Sequence, residues 1–297
     1  MHLPSLIARR QLLGWLAVTA AYPVTATPKS KQPTATKTNI LTGTALMKQV
    51  NAATDMPTLA EGTQGEAVWR AQILLDQAWF SVGEIDGVFG ANMRHVLTAF
   101  QTANKLQPSG RLDANTWKAL SNKMPTAVLS YYTITRQDTS GPFMQLPTDM
   151  AGLAQLSMLG YGSLLEALSE KFHCSPAWLH SVNQDNAFRA GDQIVVPALE
   201  NSKPTPLTAS IRIEKSERIL FLLDKAGLIV GAFPISIGSA SDPLPIGLLE
   251  IRTAVKNPMF AFSPALLKGA TSPDINANIA PGPNNPVGVY WLGLNKP

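Results

Sequence analysis

Apolar residues recur at helical spacing in the first half of the chain and at strand spacing in the second. Val68, Leu75 and Trp79 form a stripe behind Gly62-Thr63-Gln64-Gly65, which predicts a helix opening near Glu66. Asp86-Gly87-Val88-Phe89-Gly90 reads as a glycine-rich turn, because glycine accepts the positive φ that other residues resist. Val96, Leu97 and Phe100 share one face of a second predicted helix. Gly110-Arg111-Leu112-Asp113 turns the chain again, and Asp113 is placed to cap a third helix carrying Trp117 and Leu120. Phe89, Phe100 and Trp117 are assigned to the core.

Beyond residue 128 the pattern changes. A short strand is predicted over 131–135 and a helix over 164–172. A second helix over 176–182 has Ser175 or a neighbour as its cap and Pro176 in the first turn, where a missing N–H costs nothing. The segment 190–197 closes with a strand. From residue 209 onward Ile211, Ile213, Leu220 and Leu222 sit at strand spacing. Asp224-Lys225-Ala226-Gly227 turns into a run over 228–238, residues 242–247 make a tight connection, and 249–253 reads as another strand.

Composition narrows the class. A chain of 297 residues with 45% hydrophobic and 15% charged residues has room for two or three small domains with real cores. Arg9 and Arg10 precede the apolar run 12–18, and Val24-Thr25-Ala26 offers a cleavage site, so residues 1–26 read as an export signal. The run is shorter than the roughly 20 residues of a membrane span. An uncleaved signal anchor is the alternative, and the arginine pair suits either a twin-arginine or an ordinary secretory signal. Removing those two arginines from the 24 basic residues leaves 22 against 20 acidic ones, or +2, too little for a nucleic-acid partner. Residues 27–58 are expected to be a linker, solvated over 27–38. The single cysteine, Cys174, excludes an intrachain disulfide, and with four histidines and no ligand motif no metal site or metalloamidase is expected. Cys174 lies at a helix-to-helix junction beside His173 and is read as a structural thiol rather than a nucleophile. No cofactor is implied.

Three resemblances organise the chain. Residues 59–122 carry Gly-x-x-Gly, Val-x-x-x-Gln-x-x-Leu, Asp-Gly-x-Phe-Gly, Phe-Gln and Asp-x-x-Thr-Trp-x-x-Leu in order, and resemble the three-helix peptidoglycan-binding domain. Residues 128–200 look like a lysin motif, a βααβ domain that binds N-acetylated glycans, with an insertion over 136–160 where that motif forms one wall of its sugar groove. If this module binds sugar, Asn183, Gln184 and Asn186 are the candidates, since short amides suit N-acetyl and hydroxyl groups. The same residues also suit a polar turn at a helix end. An architectural role is the alternative for the module.

Residues 209–297 are similar to the opening part of the L,D-transpeptidase catalytic domain: Ile211-Arg212-Ile213-Glu214-Lys215-Ser216, Ser236-Ile237-Gly238, Asp242-Pro243-Leu244-Pro245-Ile246-Gly247, Asn257-Pro258-Met259-Phe260 and Ala280-Pro281-Gly282-Pro283-Asn284-Asn285-Pro286-Val287-Gly288. That family continues with a His-Gly turn and a Ser-His-Gly-Cys-Ile-Arg motif, whereas this sequence stops at Pro297. The resemblance therefore implies a catalytic domain truncated ahead of its nucleophile, with no catalytic residue to carry over. The family's reaction is cysteine acyl transfer that forms 3–3 peptidoglycan cross-links or attaches a lipoprotein. Asn284 and Asn285 are candidates to border the stem-peptide cleft, or to form a turn.

The expectation is thus a multidomain α+β protein: a three-helix peptidoglycan-binding bundle, a βααβ lysin-motif-like domain and an incomplete, mostly antiparallel β catalytic domain. It would be exported to the periplasm or cell envelope, with glycan strands and stem peptides as partners and, through the family, an envelope lipoprotein. The resemblance implies an exported L,D-transpeptidase that lacks its catalytic motif and is inactive as it stands; the alternative is a non-catalytic peptidoglycan-binding protein. The region after 209 is expected to leave strand edges exposed.

Overall fold

The computed structural model describes residues 43–121, 127–199, 204–237, 244–263 and 276–295. The expected export signal, residues 27–42 of the expected linker, and Asp242 and Pro243 of the expected connection lie outside the described residues. Seven helices and nine strands are described, so the chain is α+β, and every strand pair is antiparallel.

Helices α2 (Glu66–Gln77), α3 (Ala91–Ala103) and α4 (Ala114–Ser121) bury the stripes expected of them. Phe89, Phe100 and Trp117 are each 1% exposed. Asp113 accepts from the Thr116 N–H at 2.8 Å and from its hydroxyl at 2.7 Å, capping α4. These bonds, the side-chain one first, hold its carboxyl below the usual carboxylate range.

Trp79 is a correction: it does not continue the helical stripe. Helix α2 stops at Gln77, and Trp79 adopts a left-handed φ of 71°. Its N–H donates to Asp76 O at 3.0 Å and the Phe80 N–H to Leu75 O at 2.9 Å, the paired bonds of a Schellman ending. This ending turns residues 79–81 against a strand of the last region, β5 (Ile229–Pro234). Ala232 N–H donates to Trp79 O, and Ser81 N–H to Ala232 O, each at 3.0 Å. Gly231 permits the approach, since a Cβ there would lie 3.0 Å from Trp79 O.

In the second module β1 (Leu129–Thr133) pairs with β2 (Gln193–Pro197) in the register Leu129↔Pro197 to Thr133↔Gln193. Strand β1 begins two residues earlier than expected. Helices α6 (Leu164–Lys171) and α7 (Pro176–Val182) lie between the strands, and Ser175 Oγ caps α7 by accepting from Trp178 N–H. A further helical turn, α5 (Met150–Leu153), lies in the insertion.

The linker expected over 27–58 needs a second correction. Residues 43–52 form helix α1 (Gly43–Ala52), with Val50 buried and Leu46 and Met47 packed on the core. The Asn51 amide accepts from Val128 and Leu129 N–H at 3.0 Å and donates to Leu129 O at 2.9 Å, so it extends the ladder at the start of β1. The first two modules also share one core. Trp69 of α2 meets Trp178 of α7 edge to face at 5.6 Å. Ile85 N–H donates to His173 O at 2.8 Å, Ser175 N–H to Ile85 O at 3.1 Å, and Gln77 Nε2 to Ala198 O at 2.7 Å. The expected boundary near 122–128 marks a change of element type, not a break in packing.

The last region is built differently. Strands β3 (Ser210–Glu214), β4 (Ile219–Leu223) and β5 form a small sheet in that order. One face buries Ile219, Phe221 and Ala232 in the shared core, while Ile211 and Ile213 stay exposed. Strand β6 (Ile251–Lys256), two residues later than the expected 249–253, pairs with β9 (Tyr290–Leu294). Strand β7 (Phe260–Phe262) pairs with β8 (Ala277–Ile279). Every residue of β3 and β6 is exposed.

Candidate functional site

Two buried glutamines shape the bundle's turns. Gln72 Oε1 accepts from Gly87 N–H at 2.8 Å and Asp86 N–H at 3.1 Å, while its Nε2 donates to Asp86 Oδ1 at 2.8 Å and Val88 O at 3.2 Å. Gln101 repeats the device one helix later. Its Oε1 accepts from Gly110 N–H at 2.9 Å, and its Nε2 donates to Arg111 O at 2.8 Å and Thr116 Oγ1 at 3.0 Å. A side-chain amide carries a donor and an acceptor on one rigid plane, so it can satisfy a turn whose own backbone groups point inward. These glutamines occupy the Gln positions of the sequence pattern, and the pattern there encodes turn geometry.

Glycine is needed at 87: φ is 78°, and a Cβ would lie 3.1 Å from the Trp69 ring. Residues 62–65 and 87–89 run together, with Gly62 N–H donating to Phe89 O and Phe89 N–H to Thr63 O, each at 2.9 Å. Val88, 42% exposed, stands on the outer side of this ribbon. Helix α3 is turned toward β5, and His95 Nδ1 lies 3.2 Å from Glu217 O, so those sides of the bundle are occupied by the last region. These contacts leave the ribbon side open, as they do the outer face of α4, where Ala114, Asn115 and Lys118 are exposed. Arg70 is a residue that sequence reasoning missed. It is 6% exposed, ion-paired to Asp55 at 2.8 Å and stacked over Trp117 at 4.8 Å. An arginine inside an apolar helical stripe was its only signal.

The candidates of the second module share one turn but not one role. Asn183 is 5% exposed, and its Nδ2 donates to Leu179 O at 3.0 Å and Val195 O at 2.8 Å while its Oδ1 accepts from Val195 N–H at 2.7 Å. Its amide thus ties α7 to β2. Asn186 accepts from Phe188 N–H at 2.7 Å and donates to Gln193 O at 3.1 Å. Gln184 is exposed.

Asn284 and Asn285 lie next to each other in the chain and point to different partners. Asn285 is buried, donating to Ala280 O at 2.8 Å and accepting from Val287 N–H at 3.0 Å, which closes its own turn. Asn284 Nδ2 crosses to the second module, reaching Gly160 O and Glu166 Oε1 at 2.9 Å each. The structure does not bring these two asparagines together with Asn183, Gln184 or Asn186 through any of these bonds.

Cys174 is 3% exposed, and burial first, then the charge of Glu84, pushes its thiol pKa far up. A nucleophilic thiolate needs the opposite shift. Its neighbour His173 instead pairs with Asp76 at 2.8 Å across the module boundary. Burial lowers the His173 pKa, but the Asp76 charge and hydrogen bond outweigh it, and the net shift is upward. Among the described residues no group of three or more His, Cys, Asp or Glu side chains is placed to hold a metal, and no helix is long and apolar enough to cross a membrane.

The bundle with its two stapled turns has a counterpart among known families. Residues 64–120 match the family described as "Putative peptidoglycan binding domain".

Proposed function

We propose that the chain is an exported cell-wall protein that binds peptidoglycan through residues 64–120. The observation that carries this reading is the family match, over a segment whose glutamine-stapled turns are intact. The open ribbon side, around Thr63, Gln64 and Val88, is the candidate contact surface. Relation to the L,D-transpeptidases is the finer part of the proposal and rests on the motifs of residues 209–297. The acyl transfer of that family would need a thiolate, and the buried, protonated Cys174 does not supply one. The described residues are therefore read as wall-binding, with Cys174 as a structural thiol. In the second module, Gln184 is the sugar candidate whose side chain is exposed, and the two asparagines beside it support the turn.

The test is co-sedimentation of the full chain with purified sacculi, with mass spectrometry of the muropeptides after incubation. Retention on sacculi with an unchanged muropeptide profile is the expected outcome. Failure to sediment would overturn the wall-binding reading. New 3–3 cross-links lost in Cys174→Ala would overturn the reading of Cys174 as a structural thiol.

A further inference from the structure

The insertion of the second module, 136–160, has a partner within the chain. Leu153 and Leu159 join Phe262, Ala277 and Ile279 in an apolar cluster separate from the main core, with Leu146, Met150 and Leu156 packed around it. Hydrogen bonds align the two segments at its edge. Leu159 N–H donates to Pro281 O at 3.0 Å, and Asn284 N–H donates to Leu159 O at 3.2 Å. Gly282 crosses Leu159 so closely that a Cβ on it would overlap the Leu159 backbone. The Asn284 amide then completes the contact on Gly160 O and Glu166.

The insertion is itself pinned at both ends. Asp138 Oδ2 accepts from the Tyr132 hydroxyl at 2.5 Å, Thr135 N–H at 2.8 Å and Thr135 Oγ1 at 2.7 Å, and Asp138 Oδ1 pairs with Lys171 at 3.0 Å. At the other end Glu166 Oε2 accepts from Gly162 N–H at 2.8 Å.

We propose that the insertion is an intramolecular receptor for the loop 279–287, and that it makes the second module a mount for the last region. The loop's chemistry fits that role. Across Pro281, Gly282 and Pro283 only Gly282 has an N–H, so the segment presents mainly carbonyl oxygens. Leu159 N–H donates to the Pro281 carbonyl, and Leu159 O accepts from Asn284 N–H just beyond. The glycine at the crossing point removes the one side chain that would hold the strands apart. The Asn284–Asn285 turn is thereby held at a set place relative to the bundle of residues 64–120. This holds whether or not that bundle binds peptidoglycan.

Hydrogen–deuterium exchange on the full chain tests it, comparing the wild type with Gly282→Val and Asn284→Ala. Gly282→Val should raise exchange about tenfold in peptides covering both 153–162 and 277–288, while α2 and α3 keep their protection. Asn284→Ala should give a smaller rise at the same two places. Acceleration confined to 277–288 would overturn the proposal, because the insertion would then owe nothing to the loop. If Gly282→Val unfolds the chain, Asn284→Ala decides, and unchanged exchange at Leu159 would overturn it. Sedimentation of the same variants with sacculi keeps this outcome separate from the wall-binding one.

Discussion

The stretch from 43 to 199 and the stretch from 204 to 295 use hydrophobic residues in opposite ways. In the first, three elements expected to be independent (a linker, a bundle and a βααβ module) converge on one core, and polar side chains such as Asn51, Gln77 and His173 cross between them. In the second, only one face of β4 and β5 joins that core, through Ile219, Phe221 and Ala232. The described strands there are short, and Ile211, Ile251, Trp291 and Leu294 remain more than two-fifths exposed. Small two-stranded ribbons bury little of either face and are marginal by themselves. The contrast shows that shared burial crosses the boundaries that motifs suggest.

The largest effect expected from this difference is at Trp117. Trp117→Ala removes a buried aromatic that carries Arg70 on its face, at a cost of about 3–5 kcal/mol. Because the core is shared, exchange protection in β1 and β2 should fall with that of α2. If the β1–β2 amides kept their protection while α2 lost its own, the shared core would be a contact surface only.

A smaller effect is expected from pH at the joint between the first two modules. The folded-state pKa of His173 is raised by Asp76, so the stabilisation is fully present below the unfolded histidine value. It is lost as pH rises through the folded value. The urea midpoint should therefore decline as pH rises above the ordinary histidine value of about 6.5. Asp76→Asn should flatten that slope, and an unchanged slope in the variant would assign the titration to another group.

The smallest effect lies in the exposed ribbon. Trp291→Ala, at a half-exposed position, should shift stability by no more than about 0.5 kcal/mol. A loss comparable to that of Trp117→Ala would mean that the β6–β9 ribbon is packed in solution.

Much of the first bundle was legible because its signals were local. Glycines fell where turns needed positive φ, Asp113 stood three residues before the N–H it caps, and Phe100 and Trp117 kept helical spacing. Helix α1 was missed because its short apolar set, Leu46, Met47 and Val50, only acquires meaning from β1, which Asn51 reaches across 78 residues of sequence. Trp79 was misplaced because its spacing fitted the helix, while the left-handed ending it forms is held against Ala232, far along the chain. For the candidate amides, residue type was readable and direction was not: Asn183 and Gln184 are neighbours, yet one is buried against Val195 and the other faces solvent. Direction depends on where the strand passes, and no local pattern records that.

The bond between Trp79 O and Ala232 N–H also bears on mechanical load. A protein that grips a wall through residues 64–120 would pass any tension between wall and last region through few junctions. One is the pair of backbone bonds joining residues 79–81 to β5; another is the packing of α3 on the same strand. Pulled along β5, both bonds would share the load, and pulled across it they would open in turn. The direction in which the wall is held would then decide how much force the molecule bears before the last region comes away.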